Sequence, residues 1–178
     1  EYIPTENVVY GIHADTIGLS LGLMDGDKIM KIGEVPFEKV NQGLFRKEII
    51  INQAKTLDVE RDGSIEVIQL PEDVSNTLGN KANRRYPVFR LRTPFIVVKT
   101  TNGSPAGKAG IQPDDQVVAV NGVKTPYSHQ LIGELQNLKG QQITLSVLRE
   151  NKTKEISFKT SDEGKMGIAY KNPFDALG

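Results

Sequence analysis

At 178 residues, the chain has the length of one ordinary domain or two small ones. Its 22 Lys+Arg and 22 Asp+Glu cancel to a formal net charge of +0, which removes any bulk electrostatic case for a nucleic-acid partner. The absence of cysteine excludes a disulfide framework and a thiolate metal site, and no apolar run approaches the ~20 residues that cross a bilayer. The chain begins at Glu1 without a leader, which reads as an excised segment or a processed form.

In the first half, Val8-Val9-Tyr10-Gly11-Ile12 is expected as a strand, followed by a helical turn from Thr16 to Leu21, an acidic turn at Asp25-Gly26-Asp27 and a strand from Ile29 to Ile32. Between Glu38 and Ala54, Val40, Leu44, Phe45 and Ile49 recur at helical spacing, giving one long element or a helix that runs into a strand. Thr56–Arg61 and Ile65–Leu70 flank Asp62-Gly63, a dipeptide that closes hairpins. Pro71 to Tyr86 is polar, Asn-rich and without a regular period, the composition of a linker between domains. No acidic residue falls between Val74 and Pro113, whereas Lys81, Arg84, Arg85, Arg90, Arg92, Lys99 and Lys108 do. This local positive field belongs either to a solvated linker and strand edge or to a site for a carboxylate or anionic headgroups.

In the second half, Phe95 to Val98 reads as a strand and Ser104-Pro105-Ala106 as a helix start, with serine as cap and proline at the first helical position. Gly110 supplies the left-handed stop, Pro113-Asp114-Asp115 a tight turn, and Val117 to Val120 a strand closed by Asn121-Gly122. Ser128 caps a helix whose Leu131, Ile132, Leu135 and Leu138 share a face before Gly140. Ile143, Leu145 and Val147 alternate, and after Glu150-Asn151 so do Ile156 and Phe158, which gives a hairpin. These elements repeat the first half. Leu21 to Gly33 lies over Ala109 to Asn121 with a constant offset of 88, which also carries Asp27 onto Asp115, Leu57, Val59 and Arg61 onto Leu145, Val147 and Arg149, and Leu70 onto Phe158.

Catalytic signals are few. The only histidines, His13 and His129, form no His-x-x-x-His pair, and no Gly-x-Ser-x-Gly elbow is present. Asp25-Gly26-Asp27 lacks the later ligands of a calcium loop, and Gly103 to Gly110 lacks the Gly-Lys-Ser/Thr of a phosphate loop. Asp27 and Asp115 are instead expected to accept bonds from nearby backbone N–H groups within turns.

The string Ser104-Pro105-Ala106, Ala109-Gly110-Ile111, Asp115, Val117 and Val120-Asn121-Gly122 resembles the signature of bacterial PDZ domains. With the repeat, the resemblance implies a mixed β fold with short helices. It would hold two tandem PDZ-like domains of the circularly permuted bacterial type, residues 1–80 and 81–178, each a partly open β-barrel capped by helices. It also implies a groove in which a peptide adds as a strand while its terminal carboxylate meets backbone N–H groups. The groove candidates are Val88, Phe89, Arg90, Leu91 and Arg92 on the strand side, and Leu131 and Leu135 on the helix side. At the carboxylate loop stands Arg85-Tyr86-Pro87-Val88, with Met166, Gly167 and Ile168 as the alternative.

From about Val8 to Ile168, the tandem arrangement resembles the periplasmic insert of a site-2 protease of the regulator of sigma-E protease type. That resemblance implies a membrane-bound zinc metalloprotease at the periplasmic face of the inner membrane of a Gram-negative bacterium. Its zinc ligands and catalytic residues would lie outside this chain, leaving no catalytic or metal-binding residue in it. The insert would act as a substrate-size gate or peptide-binding module for a membrane-anchored protein. Two other readings stay open: an adaptor for protein tails, and the PDZ portion of a periplasmic serine protease.

Overall fold

Leu57 and Val59 point inward between Thr56, Asp58 and Glu60, and Leu145 and Val147 do the same between Thr144 and Ser146; each alternation seeds a sheet with one buried face. The computed structural model describes residues 2–177. Its two compact units are the residues up to Arg92 joined by Leu177, and Thr93–Ala176.

The first unit runs β1 (Ile3–Pro4), a 3-10 turn, β2 (Ile12–Ala14), α1 (Thr16–Ser20), β3 (Lys28–Ile32), β4 (Val35–Pro36), β5 (Lys39–Val40), α2 (Gln42–Ile50), β6 (Thr56–Arg61), β7 (Ser64–Gln69), α3 (Val74–Gly79), α4 (Lys81–Arg84) and β8 (Phe89–Leu91). Its main sheet has the order β4-β3-β6-β7, while β1 pairs with β5 and β2 with β8. The second unit runs β9 (Phe95–Thr100), α5 (Pro105–Ala109), β10 (Gln116–Val120), β11 (Val123–Lys124), α6 (Ser128–Leu135), β12 (Gln142–Arg149), β13 (Lys152–Lys159), β14 (Ile168–Tyr170) and all of α7 (Pro173–Leu177) but its last residue. Its strands follow the order β13-β12-β10-β9-β14, with β11 on β10.

The internal repeat is structural. The β3–β6 ladder shifts register between Ile29 and Lys31, and the β10–β12 ladder shifts between Val117 and Ala119, at the same offset of 88. The Asp62-Gly63 hairpin has φ of 49° and 80° at its two turn residues, as a two-residue turn requires. Ser104 caps α5 by accepting from the Gly107 N–H at 3.2 Å, and Gly110 ends that helix at φ 94°. The fold class is thus mixed β with short helices, PDZ-like.

Four expectations differ from what the chain adopts. Val8 to Tyr10 is not strand, because Gly11 turns at φ 69° with a Cβ position only 2.1 Å from the Gly26 carbonyl oxygen; the strand begins at Ile12. Pro71 to Tyr86 is not an irregular linker: Val74 and Leu78, one helical turn apart, bury the inner side of α3 in the first core. The division between units falls at Arg92/Thr93 rather than between residues 80 and 81, since β8 pairs antiparallel with β2, Ile12 opposite Leu91 and Ala14 opposite Phe89. Finally, α6 is preceded by Tyr127 as its cap residue, whose N–H donates to Gln130 Oε1 at 3.1 Å, and ends at Leu135, short of Leu138.

One ion pair recurs in both units. Asp27 and Asp115 are each 0% exposed. Arg61 donates to Asp27 through Nε and Nη2, both at 2.8 Å, and Arg149 to Asp115 at 2.6 and 2.7 Å. The same carboxylates accept the Met24 and Gln112 N–H groups, and the same guanidiniums reach the Gly22 and Gly110 carbonyls. Burial pushes the Asp115 carboxyl up, but the hydrogen bonds from Arg149 and the Gln112 N–H, with the Arg149 and Lys154 charges, outweigh it and hold the group below the usual carboxylate range. Because the folded-state value is depressed, the pair's stabilisation is present above the unfolded carboxylate value near ~4 and is lost as pH falls through the lower folded value. We expect Arg149→Met to destabilise the second unit by about 3 kcal/mol or more, since it strands a buried carboxylate. Asp115→Asn should flatten the acid limb of the stability curve; urea unfolding across a pH series reads both.

Candidate functional site

In the second unit a cleft of ≈ 490 Å³ opens between α6 and β14, lined by Ile132 and Leu135 from the helix, Gln136 just after it, Phe95 from β9, and the segment Glu163 to Tyr170. β14 is the outermost strand of its sheet. Its inner edge is occupied: the Gly167 C=O accepts from the Thr101 N–H at 2.8 Å, and the Lys171 N–H donates to the Ile96 C=O at 2.9 Å. Hydrogen-bonding direction alternates along a strand, so the backbone groups of Ile168 and Tyr170 face the outer edge, toward α6.

The loop before β14 is aimed by its own carbonyls. The Met166 C=O accepts from the Ala106 N–H at 3.2 Å, and the Gly167 C=O is held by Thr101. In a trans peptide the N–H of the next residue points opposite to the carbonyl. The N–H groups of Gly167 and Ile168 therefore turn away from α5 and β9 as two successive donors, an arrangement that favours an anion. Ser161 secures the base of the loop, its hydroxyl accepting from the Lys165 N–H at 2.9 Å and its carbonyl from the Gly164 N–H at 2.8 Å. Gly167 has φ 75°, and a Cβ there would lie 2.3 Å from the Ser104 Cβ. Only glycine meets both conditions.

The walls are apolar. Leu135 and Met166 are buried, Ile168 is half-buried against the second core, and Tyr170 stacks on Phe95 with ring centroids 4.4 Å apart. At the rim Lys165 Nζ meets Glu163 Oε2 at 2.5 Å; that hydrogen bond raises the lysine and lowers the glutamate relative to their ordinary values.

Of the residues expected at the groove, the structure brings Leu135, Met166, Gly167 and Ile168 together, and Leu131 lies beneath them in the core. Val88, Phe89, Arg90, Leu91 and Arg92 are not the strand edge of this cleft: they belong to the first unit, where Val88 and Phe89 are buried and Arg90 Nε lies 3.2 Å from Asp15 Oδ2. Phe95, Ile132 and Tyr170 were not singled out for the groove. Tyr170 was within reach of sequence reading, as the residue two beyond Ile168 on the same strand face. His13 Nδ1 lies 2.9 Å from Asp25 Oδ1, which also accepts the Ala14 N–H.

Residues 78–160 match the family described as PDZ domain. A Treponema pallidum protein named "Putative zinc metalloprotease" is 25% identical over 169 residues, covering 92% of this chain and 36% of its own length. A Brucella suis protein named "Probable periplasmic serine endoprotease DegP-like" is 28% identical over 127 residues, covering 68% of this chain and 23% of its own. This chain thus spans about a third of the first relative and about a quarter of the second. Among solved structures, the PDZ domain of the SdrC-like protein from Listeria innocua has 22% identity and a TM-score of 0.39, covering 44% of this chain and 94% of that one.

Gly167→Ala is expected to displace the Met166–Ile168 loop from Ser104 and to cost about 1–3 kcal/mol of stability. Loss of the amide protection that the Thr101–Gly167 bond gives Thr101, in hydrogen exchange, is the corresponding readout.

Proposed function

We propose that this chain is a non-catalytic peptide-docking segment of a larger zinc metalloprotease, and that its working site is the cleft between α6 and β14. A peptide would add antiparallel to the outer edge of β14, set its terminal carboxylate against the Gly167 and Ile168 N–H groups, and place an apolar last side chain among Phe95, Ile132, Leu135 and Met166. The observation that carries this reading is the pairing of two outward backbone donors with an apolar cleft beside an unpaired strand edge.

Likeness to the Treponema metalloprotease along nearly the whole chain supports the choice of parent. In that parent the tandem would stand at the periplasmic face of the inner membrane of a Gram-negative bacterium and gate a membrane-anchored substrate by size or by its tail. No helix among the described residues is long and apolar enough to cross a membrane, so tethering would come from other segments. On that choice of parent, the catalytic zinc would be held by a His-Glu-x-x-His pair in other segments, since this sequence contains no such pair. The Brucella relative favours a second reading, the PDZ portion of a serine protease. The sequences flanking this segment separate the two: His-Glu-x-x-His in an apolar helix, or a soluble Ser/His/Asp domain.

Titration calorimetry tests the cleft. A peptide ending in leucine with a free carboxylate should bind, its C-terminal amide should bind about tenfold more weakly or worse, and Leu135→Arg should remove binding. Equal affinity for acid and amide would contradict the reading, as would heats that Leu135→Arg leaves unchanged.

A further inference from the structure

The first unit contains the counterpart of this cleft, and its own helix occupies it. The Asp15 N–H donates to the Val88 C=O at 3.1 Å and the Arg92 N–H to the Gly11 C=O at 3.1 Å, the same pattern that Thr101–Gly167 and Lys171–Ile96 make in the second unit. Leu91 lies opposite Ile12 as Tyr170 lies opposite Val97. On this correspondence β8 is the edge strand of the first unit, Val88 stands where Gly167 stands, Phe89 where Ile168 stands, and α2 where α6 stands.

The outward groups of this edge are bonded from within the unit. The Val88 N–H, equivalent to the Gly167 N–H, donates to Gln42 Oε1 at 3.0 Å, and Gln42 Nε2 donates to the Phe89 C=O at 2.6 Å. A carboxamide carries an acceptor oxygen and a donor nitrogen side by side, so one side chain can bond an N–H and a C=O of neighbouring residues. Its oxygen takes the place of a ligand carboxylate oxygen, and its nitrogen the place of a ligand N–H. Pro87 removes the donor one position earlier. In the second unit the residue at the start of the helix is Ser128, whose hydroxyl donates instead to the Thr93 C=O at 3.0 Å.

Two further features keep the first site shut. Phe89 packs its ring against Phe45 of α2 at 5.3 Å and against Phe37 at 6.4 Å, filling the space between strand and helix with aromatic rings. One turn after Gln42, Arg46 donates to the Leu78 C=O at 2.7 Å, the Tyr86 C=O at 2.8 Å and the Asn83 C=O at 3.2 Å, tying α3, α4 and the loop before β8 to the helix.

We propose that Gln42 is a built-in mimic of a peptide C-terminus that closes the first unit, so that the tandem carries one peptide site, in the second unit. The location of that one site rests on the function proposed above; the closure by Gln42 does not. Both are read on the intact chain by amide NMR. Without peptide, the Val88 amide should exchange slowly in the wild type and at least tenfold faster in Gln42→Ala, while Gln42→Glu, whose carboxylate still accepts from the Val88 N–H but cannot donate to the Phe89 carbonyl, should fall between them. Equal Val88 exchange in wild type and variants would overturn the closure. On titrating a peptide ending in leucine, shifts should fall on Gly167 to Tyr170 and α6 with one peptide bound per chain. Shifts of similar size at Val88 to Leu91 in the wild type would overturn the single-site proposal. Shifts at neither strand would overturn the peptide reading of the second unit, while the exchange rates would still decide the role of Gln42.

Discussion

The buried carboxylate–guanidinium pair, Asp27 with Arg61 and Asp115 with Arg149, is the constraint on which each unit depends. A carboxylate with no exposure is tolerable only because it receives a two-pronged guanidinium and a backbone N–H at once. In doing so it ties the turn before β3 or β10 to the end of β6 or β12, and the guanidinium carries the link on to the Gly22 or Gly110 carbonyl. In the second unit that fixes the end of α5, and α5 supplies the Ala106 N–H that turns the Met166 carbonyl. The aim of the Gly167 and Ile168 donors is therefore set, through a short chain of hydrogen bonds, by an ion pair that is not among the residues lining the cleft.

The two units share this frame and differ where a ligand would sit. Each takes its edge strand from the segment that follows its hairpin, β8 after β7 and β14 after β13. In the second unit that strand carries Ile168 and Tyr170, is preceded by Gly167, and leaves an open cleft. In the first it has Val88 and Phe89, faces a glutamine at the start of the opposing helix, and is filled. On the proposed reading, the closed copy would contribute shape to the tandem and the open copy would contribute the peptide contact.

Much of this frame was legible in the sequence. The offset of 88 aligned both aspartates and both arginines, the Asp-Gly dipeptide marked the hairpin, and Ser104-Pro105 marked a capped helix, because each depends on neighbours close in the chain. What stayed hidden depends on distant pairing. Val88 to Arg92 has a strand-like pattern that fits a sheet on either side of it, and only the ladder to Ile12–Ala14 assigns it to the first unit. Pro71 to Tyr86 looks like a linker because only Val74 and Leu78 of its residues are buried. The arginine partners of Asp27 and Asp115, 34 residues away in each copy, carry no local signal beyond being in register.

The central claim is that a peptide terminus is held by the second unit and imitated inside the first. The most direct measurement is a crystal structure of the chain with a peptide ending in leucine. The account predicts a strand antiparallel to β14, its carboxylate within hydrogen-bond distance of the Gly167 and Ile168 N–H groups, and Gln42 still bonded to Val88 and Phe89. A peptide lying along β8 with Gln42 displaced, or one bound away from both strands, would contradict it.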